Sequence, residues 1–191
     1  MSADVRQHSA MYAIAPLIGY HDRESFHVSV YSSTTIQDHY TQAVRDSCRM
    51  GGAFYDVSRN WPDANLAYFI EQNRVDILID CSGHSAGFRL GVLARKPAPI
   101  QISAFGYNLG TGLPQVDWLV SDPVHIVKAD RNLYAERILD MPCMMTYQCP
   151  PYTPAVSPLP AEHTDRITFG VLNRLEKISD ACLRSWSFAM R

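Results

Sequence analysis

The sequence predicts an α/β protein built around a parallel sheet. Two apolar runs that are typical of strands, 75–81 and 99–105, each end in a loop of small and polar residues. An amphipathic run at 87–96 separates them, which gives the strand–loop–helix–strand order of a parallel pair. In open parallel sheets, ligands bind beyond the carboxyl ends of the strands, so we expect a binding site where these two loops lie.

Helices and strands alternate along the rest of the chain as well, as judged from apolar periodicity and β-branched content. The predicted helices cover 10–20, 36–49 and 64–74, and the predicted strands cover 26–33, 52–58 and 116–122, followed by a short helix and a short strand within 129–142. Pro16 is expected to kink or end the first helix, because proline lacks the N–H that an interior helical position donates. Asp63 is expected to cap the third helix.

A proline-rich stretch divides the sequence. We predict an N-terminal α/β domain at 1–145, an extended linker at 146–165 and the start of a second α/β unit at 166–191. The second unit offers a strand at 166–172 and a helix capped by Ser179. Because one such pair cannot bury both of its apolar faces, we expect this unit to be truncated. The polar loop at the N-terminus likewise has no strand before it, so we expect a first strand to be missing.

Composition excludes several classes of function. The net charge of −2 and the pI near 6.4 provide no electrostatic basis for binding duplex nucleic acid or an anionic membrane. No apolar run approaches the length of a membrane span, and the stretch MSADVRQHSA contains no signal-peptide h-region. The five cysteines form no CxxC pair, which argues against a structural zinc site and fits reduced thiols in a cytoplasmic protein.

Two histidines stand in loops where a ligand is expected. His8 precedes the first predicted helix, whose N-terminal end disfavours a charged imidazole and keeps the ring available as a base or a ligand of sugar hydroxyls. His84 follows the strand at 75–81, and Gly83 and Gly87 there allow a tight turn close to a ligand. The alternatives are structural: a surface histidine near a frayed terminus, and a histidine that caps groups within a turn.

Two further stretches are candidates for binding a sugar or a phosphate. The loop GYNLGTG offers backbone N–H groups and the residues Gly106, Tyr107, Asn108 and Thr111. It matches neither the GxGxxG fingerprint nor a Walker loop, so an ordinary turn between strand and helix is the alternative. Lys177 precedes the last helix and is placed to pair with a phosphate, the alternative being a solvated lysine.

The order of these motifs resembles the catalytic region of family 41 glycosyltransferases. These are the O-linked N-acetylglucosamine transferases and their bacterial tetratricopeptide-repeat relatives. The motifs are SADVRQHSA, DILIDCSGHSAGFRL, ARKPAPIQISAFGYNLGTGLPQVDWLVSD, ERILDMP and ITFGVLNRLEKIS. The most specific stretch is RKPAPIQ together with GYNLGTGLPQVDW. The resemblance spans nearly the whole chain and is closer to the bacterial branch.

The resemblance implies a GT-B fold, in which two Rossmann-like domains face a cleft and the nucleotide-sugar binds mostly to the C-terminal one. The chain then corresponds to the N-terminal half plus the first strand and helix of the second half. The implied reaction is an inverting, metal-independent transfer of N-acetylglucosamine from UDP-GlcNAc to Ser or Thr hydroxyls of a protein acceptor. It needs no cofactor besides the donor substrate, and the implied partners are upstream tetratricopeptide repeats and the C-terminal catalytic half.

Individual residues of the family motifs carry over to this sequence. His8 matches the active-site histidine of the SxDFxxH motif, a base or a sugar contact, and His84 matches a histidine that lines the cleft. Lys177 matches the lysine of the FNxLxK motif, which neutralises the UDP diphosphate. Arg174 falls where many members of the family carry Gln or Asn near the nucleotide. The sequence departs from the family pattern at Asn108-Leu109, where members carry Pro-Gly.

Two other functions are also compatible with the sequence. One is a truncated, catalytically inactive product that acts as a binding module, and its mark would be stable folding without affinity for UDP. The other is a nucleotide enzyme unrelated to sugars, against which the absence of GxGxxG argues. A lone chain of 191 residues is expected to be inactive, because the rest of the UDP site is expected beyond Arg191.

Overall fold

Parallel strands form the centre of the structure, as the sequence predicts. The computed structural model describes residues 1–59, 61–144, 146–149 and 152–190. The chain divides into two units, Met1–Pro151 and Tyr152–Arg191. The predicted α/β class is confirmed, whereas the predicted domain and linker boundaries stay predictions.

Helices and strands alternate through the first unit. In chain order they are α1 (Met11–Gly19), β1 (Val28–Ser32), α2 (His39–Cys48), β2 (Gly52–Asp56), α3 (Asp63–Gln72), β3 (Ile77–Asp80), α4 (Leu90–Leu93), β4 (Ile100–Ser103), β5 (Trp118–Ser121), a 3-10 helix (Lys128–Leu133) and β6 (Arg137–Asp140). The second unit contains α5 (Ala161–Thr164), a 3-10 turn (Leu175–Lys177) and α6 (Asp180–Ala189). No helix in the described parts of the chain is long and apolar enough to cross a membrane.

All strand pairs among the described residues are parallel. β1 pairs with β2, and β3, β4, β5 and β6 pair in that order. Met1 and Ser2 lie between the two sheets. Ser2 forms a parallel bridge with Ser32 at the end of β1, and the Met1 carbonyl accepts from the Cys81 N–H, 2.9 Å away, at the end of β3. The N-terminal residues therefore join both sheets at their carboxyl ends.

Each face of the sheet is covered by its own apolar cluster. Tyr31 of β1 and Leu78 of β3 pack with α3 and α4. Val30, which precedes Tyr31, and Cys81, which lies three residues after Leu78, pack with α1 and α2. Because successive side chains of a strand point to opposite faces, the two clusters lie on opposite sides of the sheet. Helices on both faces are typical of a parallel sheet, whose strands are buried from both sides.

The sequence predicts that Pro16 kinks or ends the first helix, and the structure excludes the second of these outcomes. α1 continues through Pro16 to Gly19. Pro16 has no N–H to donate to the carbonyl of Tyr12, four residues earlier, and that carbonyl accepts from the N–H of Gln148 at 2.8 Å instead. Because of the proline, the Tyr12 carbonyl has no donor within the helix, and it binds the segment around Gln148 instead.

Asp63 does not cap α3, contrary to expectation. It is the first residue of the helix, and its carboxylate accepts from the Nε–H of Arg89 at 2.6 Å. Arg89 also donates to the carbonyl of Val57, so its guanidinium ties α4 to the loop after β2. The amphipathic run at 87–96 is helical only at Leu90–Leu93.

The predicted strand at 166–172 is also not found. The segment forms no strand, and the side chains of Ile167, Phe169 and Leu172 are exposed. A strand needs a neighbour for its backbone hydrogen bonds, and the described part of the second unit contains no other strand. The predicted cap of α6 is confirmed, since the Ser179 hydroxyl accepts from the N–H of Cys182 at 3.2 Å.

The most specific motif of the sequence has an architectural role. The side chain of Gln101 is fully buried and donates to the carbonyls of Leu93 and Gln115, each at 2.9 Å. Asp117 accepts from the backbone N–H of Gln101 at 2.7 Å and pairs with Lys96. RKPAPIQ and LPQVDW thus hold α4, β4 and β5 together around one buried amide.

We predict that Gln101→Met lowers the free energy of unfolding by about 2 kcal/mol, because the substitution keeps the volume but leaves two carbonyls without their donor. Urea denaturation measures this loss. The control is Gln72→Met on the exposed surface of α3, which is expected to stay within about 0.5 kcal/mol of the wild type. Equal stability of the two variants would contradict the role assigned to Gln101.

Candidate active site

The candidate site lies where the chain leaves the carboxyl ends of the parallel strands. The loop that contains His8 and the loop that contains His84 lie side by side there. The backbone N–H of Ala3 donates to the hydroxyl of Ser82 at 2.9 Å. A Cβ added to Gly87 would lie 2.9 Å from the Cβ of Ala3. The sheet therefore brings together two loops that are far apart in sequence.

His84 is exposed and held by one well-defined hydrogen bond. Its Nε2 lies 3.0 Å from the carbonyl oxygen of Thr111. A carbonyl only accepts, so Nε2 carries a proton, and in the neutral ring Nδ1 has a free lone pair. The ring also lies beside Tyr107, with centroids 5.5 Å apart. His84 is thus presented at the loop surface with Nδ1 as its hydrogen-bond acceptor.

His8 has the complementary arrangement. Its Nδ1 accepts from the backbone N–H of Ala10 at 3.2 Å, so the neutral ring carries its proton on Nε2. The carboxylate of Asp4 lies 3.7 Å from the same Nδ1 and also pairs with Arg6. Protonation of Nδ1 would replace the bond from Ala10 by an ion pair with Asp4. In the neutral state His8 offers a donor.

Glycines let the loops after β3 and β4 approach closely. A Cβ on Gly106 would lie 1.5 Å from the carbonyl oxygen of Cys81. A Cβ on Gly83, whose φ is +52°, would lie 2.4 Å from the Cβ of Tyr107. Any larger residue at either position would separate the loops. The binding roles predicted for Gly106 and Tyr107 stay predictions, but their positions beside the His84 loop are clear.

A buried carboxylate fixes the loop that positions His84. Glu136 precedes β6 and is almost fully buried, and its Oε1 accepts from both the N–H and the hydroxyl of Thr111. Its Oε2 has no hydrogen-bond partner among the described residues and lies close to Gly110. Glu136 therefore holds Thr111, whose carbonyl holds His84. Glu136 begins the motif ERILDMP, but the sequence does not indicate its bond to Thr111, because Thr111 lies in another loop.

The loop around His84 is supported from beneath by Asp80. The carboxylate of Asp80 accepts from the N–H of Gly83 at 2.7 Å and from that of Ser82 at 3.4 Å. Burial raises the pKa of Asp80. Burial also raises the pKa of the Cys81 thiol to about 11, so Cys81 is a structural thiol, as its position at the end of an apolar strand indicates.

The loop after β4, which contains Asn108, is bound to the segment that follows β5. The Nε2 of His125 lies 2.8 Å from the backbone carbonyl of Asn108, which fixes the part of the loop where the sequence departs from the family pattern. Asp122 accepts from the N–H groups of Val124, His125 and Met144. The bonds from Met144 and His125 hold the pKa of Asp122 below its usual value.

Lys177 and Arg174 belong to the second unit. Both side chains are exposed, and the backbone N–H of Lys177 donates to the carbonyl of Arg174 at 3.1 Å. Lys177 ends a 3-10 turn, and α6 begins three residues later with Ser179 as its cap. Their predicted roles stay predictions. Across the residues that the structure describes, no group of three or more His, Cys, Asp or Glu side chains is arranged to hold a metal ion.

Comparisons with known proteins place the chain among glycosyltransferases. Residues 1–147 match the family model described as glycosyl transferase family 41. A mutant of the Thermobaculum terrenum O-GlcNAc transferase has the same fold, with a TM-score of 0.73 and 30% identity over 82% of this chain and 30% of that one. Fold and sequence thus place the chain in a class of glycosyltransferase families. Within that class, the chain belongs to glycosyl transferase family 41, which confirms the resemblance.

Relatives from plants give the same assignment. A protein from Eustoma exaltatum named probable UDP-N-acetylglucosamine–peptide N-acetylglucosaminyltransferase SPINDLY is 36% identical over 175 residues, 91% of this chain and 19% of that protein. Its Arabidopsis thaliana namesake is 32% identical over 98% of this chain and 21% of its own length. The chain thus spans about a fifth of the length of these relatives.

We predict that Glu136→Ala releases His84 from Thr111, because the N–H and hydroxyl of Thr111 lose their shared acceptor. In nitrogen-15 NMR spectra of the imidazoles, His84 of the wild type is expected to show one tautomer with the proton on Nε2, and the variant a mixture of both. Glu136→Gln keeps an acceptor oxygen and is the control. A single Nε2–H tautomer in the alanine variant would exclude Glu136 as a positioning residue.

We predict that the contribution of Asp122 to stability depends on pH with a definite sign. Its pKa in the folded state is lowered, so the contribution is complete above the usual pKa near 4 and disappears as the pH falls through the folded value. The stability difference between the wild type and Asp122→Asn should therefore shrink between about pH 5 and pH 2. Thermal unfolding across this range measures it, and a constant difference would refute the assignment.

Proposed function

We propose that the chain supplies the acceptor-side wall of a peptide glycosyltransferase that uses UDP-GlcNAc as donor. The observation that carries the proposal is the pairing of the His8 and His84 loops at one edge of the sheet, bridged by the bond from Ala3 to Ser82. Two kinds of support are independent of it: membership in family 41, and the names of the relatives, which specify UDP-N-acetylglucosamine as donor and a peptide as acceptor.

In the proposed reaction, the hydroxyl oxygen of a Ser or Thr forms a bond to the anomeric carbon of N-acetylglucosamine. The bond from that carbon to the diphosphate oxygen breaks, and its electron pair leaves with UDP. The hydroxyl proton passes to a base. We propose that the reaction needs neither a metal ion nor a cofactor, so protein groups must orient the hydroxyl and stabilise the leaving diphosphate.

The two histidines have different roles in the proposed reaction. His84 has its Nε2–H committed to the Thr111 carbonyl, so its free Nδ1 lone pair is the group that accepts the hydroxyl proton. His8 has Nδ1 committed to the Ala10 N–H, so its Nε2–H donates to a sugar hydroxyl. Neither ring can exchange these roles without breaking its present hydrogen bond. The geometry therefore favours His84 as the base and His8 as the sugar contact.

The loop after β4 completes the proposed sugar-binding wall. Tyr107 is half-buried against His84, and Asn108 is exposed beside it, so these two side chains provide contacts to the substrate. Gly106 and Thr111 act through the backbone: the glycine permits close approach of the loops, and Thr111 orients His84. These assignments rest on position within the loop.

The second unit provides the proposed site for the diphosphate. Lys177 brings a positive charge, and α6 begins three residues later with N-terminal N–H groups that favour an anion. Arg174 is bonded to Lys177 through the backbone and adds a second cation. We further propose that tetratricopeptide repeats and a C-terminal catalytic half act with this chain in the cytoplasm.

We predict that His84→Asn lowers kcat about 100-fold or more in a protein that carries these residues within a complete family 41 catalytic region, because asparagine cannot accept the proton. Transfer of radiolabelled sugar from UDP-GlcNAc to a peptide acceptor measures the effect. His163→Asn, at an exposed position of α5, is the control and should retain full activity. Transfer from GDP-mannose but not from UDP-GlcNAc would contradict the proposed donor.

We predict that Lys177→Ala lowers kcat several tens-fold, roughly 2 kcal/mol, since it removes a charge aimed at the leaving group. Lys177→Arg keeps the charge and should recover most of the rate. The same transfer assay distinguishes the two variants. Unchanged turnover in Lys177→Ala would remove Lys177 from the mechanism while leaving the role of His84 intact.

A further inference from the structure

The start of α2 lies against the loop that carries His8. The carboxylate of Asp38, directly before α2, accepts from the backbone N–H of Gln7 with an N···O distance of 2.5 Å. The hydroxyl of Thr41, in the first turn of α2, donates to the carbonyl of Val5 at 2.7 Å. These bonds join residues that are 31 and 36 positions apart in the sequence. Two backbone groups of the His8 loop are therefore held by side chains at the start of one helix.

The same two side chains also cap α2. Oδ1 of Asp38 accepts from the N–H of Thr41 at 3.1 Å, and Oγ1 of Thr41 accepts from the N–H of Asp38 at 3.2 Å, which completes a capping box. The capping bond from Thr41 goes to Oδ1, whereas the bond from Gln7 goes to Oδ2. The two functions of the carboxylate thus fall on different oxygens, so a substitution can separate them.

The His8 loop needs bonds of this kind, because residues 4–8 form neither a helix nor a strand. Within the described residues, the N–H of Gln7 has no other acceptor and the carbonyl of Val5 has no other donor. Gln7 directly precedes His8, so its bond fixes the peptide that leads into the histidine. Its acceptor is ionised, and a charge-assisted bond is stronger than a neutral one, which suits an exposed loop.

We propose that Asp38 and Thr41 are positioning residues for His8, which they hold through the backbone of Gln7 and Val5. Neither side chain is assigned a contact with the substrate. The inference rests on the proposed function, in which the Nε2–H of His8 donates to a sugar hydroxyl. That donor is useful only while the loop keeps the ring at one place on the sheet edge, and the start of α2 provides this constraint.

Asp38→Asn separates the two functions of the carboxylate. Asparagine is as good a helix cap as aspartate, but its side chain has one oxygen and one NH2 group. When the oxygen accepts from Thr41, the NH2 group faces the N–H of Gln7, and two donors form no bond. The matched control is Asp46→Asn, which removes the same charge from the exposed side of α2, where the carboxylate pairs with Arg49.

NMR on the 191-residue chain tests the positioning itself. In Asp38→Asn, exchange of the Gln7 amide with water is expected to be about tenfold faster or more. The imidazole of His8 should change from the single Nε2–H tautomer to a mixture of both, while the amides of α2 keep their protection. Thr41→Val is expected to give the same change at His8, and Thr41→Ser, which keeps the hydroxyl, to behave as the wild type. Asp46→Asn should change neither signal.

Two results of these spectra would overturn the proposal. One is a Gln7 amide that exchanges at the wild-type rate in Asp38→Asn, with His8 still in one tautomer. The other is faster exchange of the α2 amides in step with that of Gln7, which would show that Asp38 acts as a helix cap alone.

Kinetics distinguish this inference from the proposed function. In a complete family 41 catalytic region that carries these residues, Asp38→Asn is expected to raise KM for UDP-GlcNAc about fivefold with little change in kcat. His8→Ala should raise KM at least as much. An unchanged KM in His8→Ala would refute the sugar contact, while the spectra would still decide whether Asp38 holds His8. A raised KM in His8→Ala together with a wild-type KM in Asp38→Asn would overturn the positioning role.

Discussion

Four backbone hydrogen bonds made by Met1 and Ser2 determine how the candidate site is assembled. Ser2 makes two of them, to Tyr31 of β1 and to Ser33 just after it. Met1 makes the other two, to Ile79 of β3 and to Cys81, and all four distances lie between 2.7 and 3.0 Å. They place Met1 and Ser2 as a short stretch of strand between the carboxyl ends of the two sheets. The His8 loop begins at this junction, so its position beside the His84 loop depends on these bonds.

The loops at this edge form a chain of contacts that ends at the two imidazoles. Glu136 holds Thr111, and Thr111 holds His84, while Asp80 supports the turn beneath it. His8 is fixed by its own helix start through Ala10. One ring thus presents an acceptor and the other a donor. A transfer reaction must both remove a proton and orient a sugar, so it needs an acceptor and a donor of this kind.

The sequence predicts the strands of the sheet well, because apolar runs between glycine-rich loops can be recognised from the local pattern alone. It also identifies His8 and His84 as neighbours of the sheet edge. It does not reveal Glu136, whose role depends on a hydrogen bond to Thr111 across two loops. Nor does it show that the helix continues through Pro16, because the compensating N–H belongs to Gln148.

The motifs that are most specific for the family have a structural role in this chain. RKPAPIQ and LPQVDW carry the resemblance most strongly, yet Gln101, Lys96 and Asp117 act by holding strands and a helix together. The composition of the apolar segment at 166–172 favours a strand, but the segment forms none. A strand forms only against a neighbouring strand, and composition does not reveal whether one is present.

The proposed function requires that His8 and His84 face one sugar-binding site. The most direct measurement is a titration of a complete catalytic region that carries these residues, labelled with nitrogen-15 in its histidines, with UDP-GlcNAc and an acceptor peptide. The imidazole resonances of His8 and His84 should shift together with one saturation curve, while His39 and His163 serve as internal references. Shifts confined to His39 or His163, with His8 and His84 unmoved at saturation, would contradict the claim.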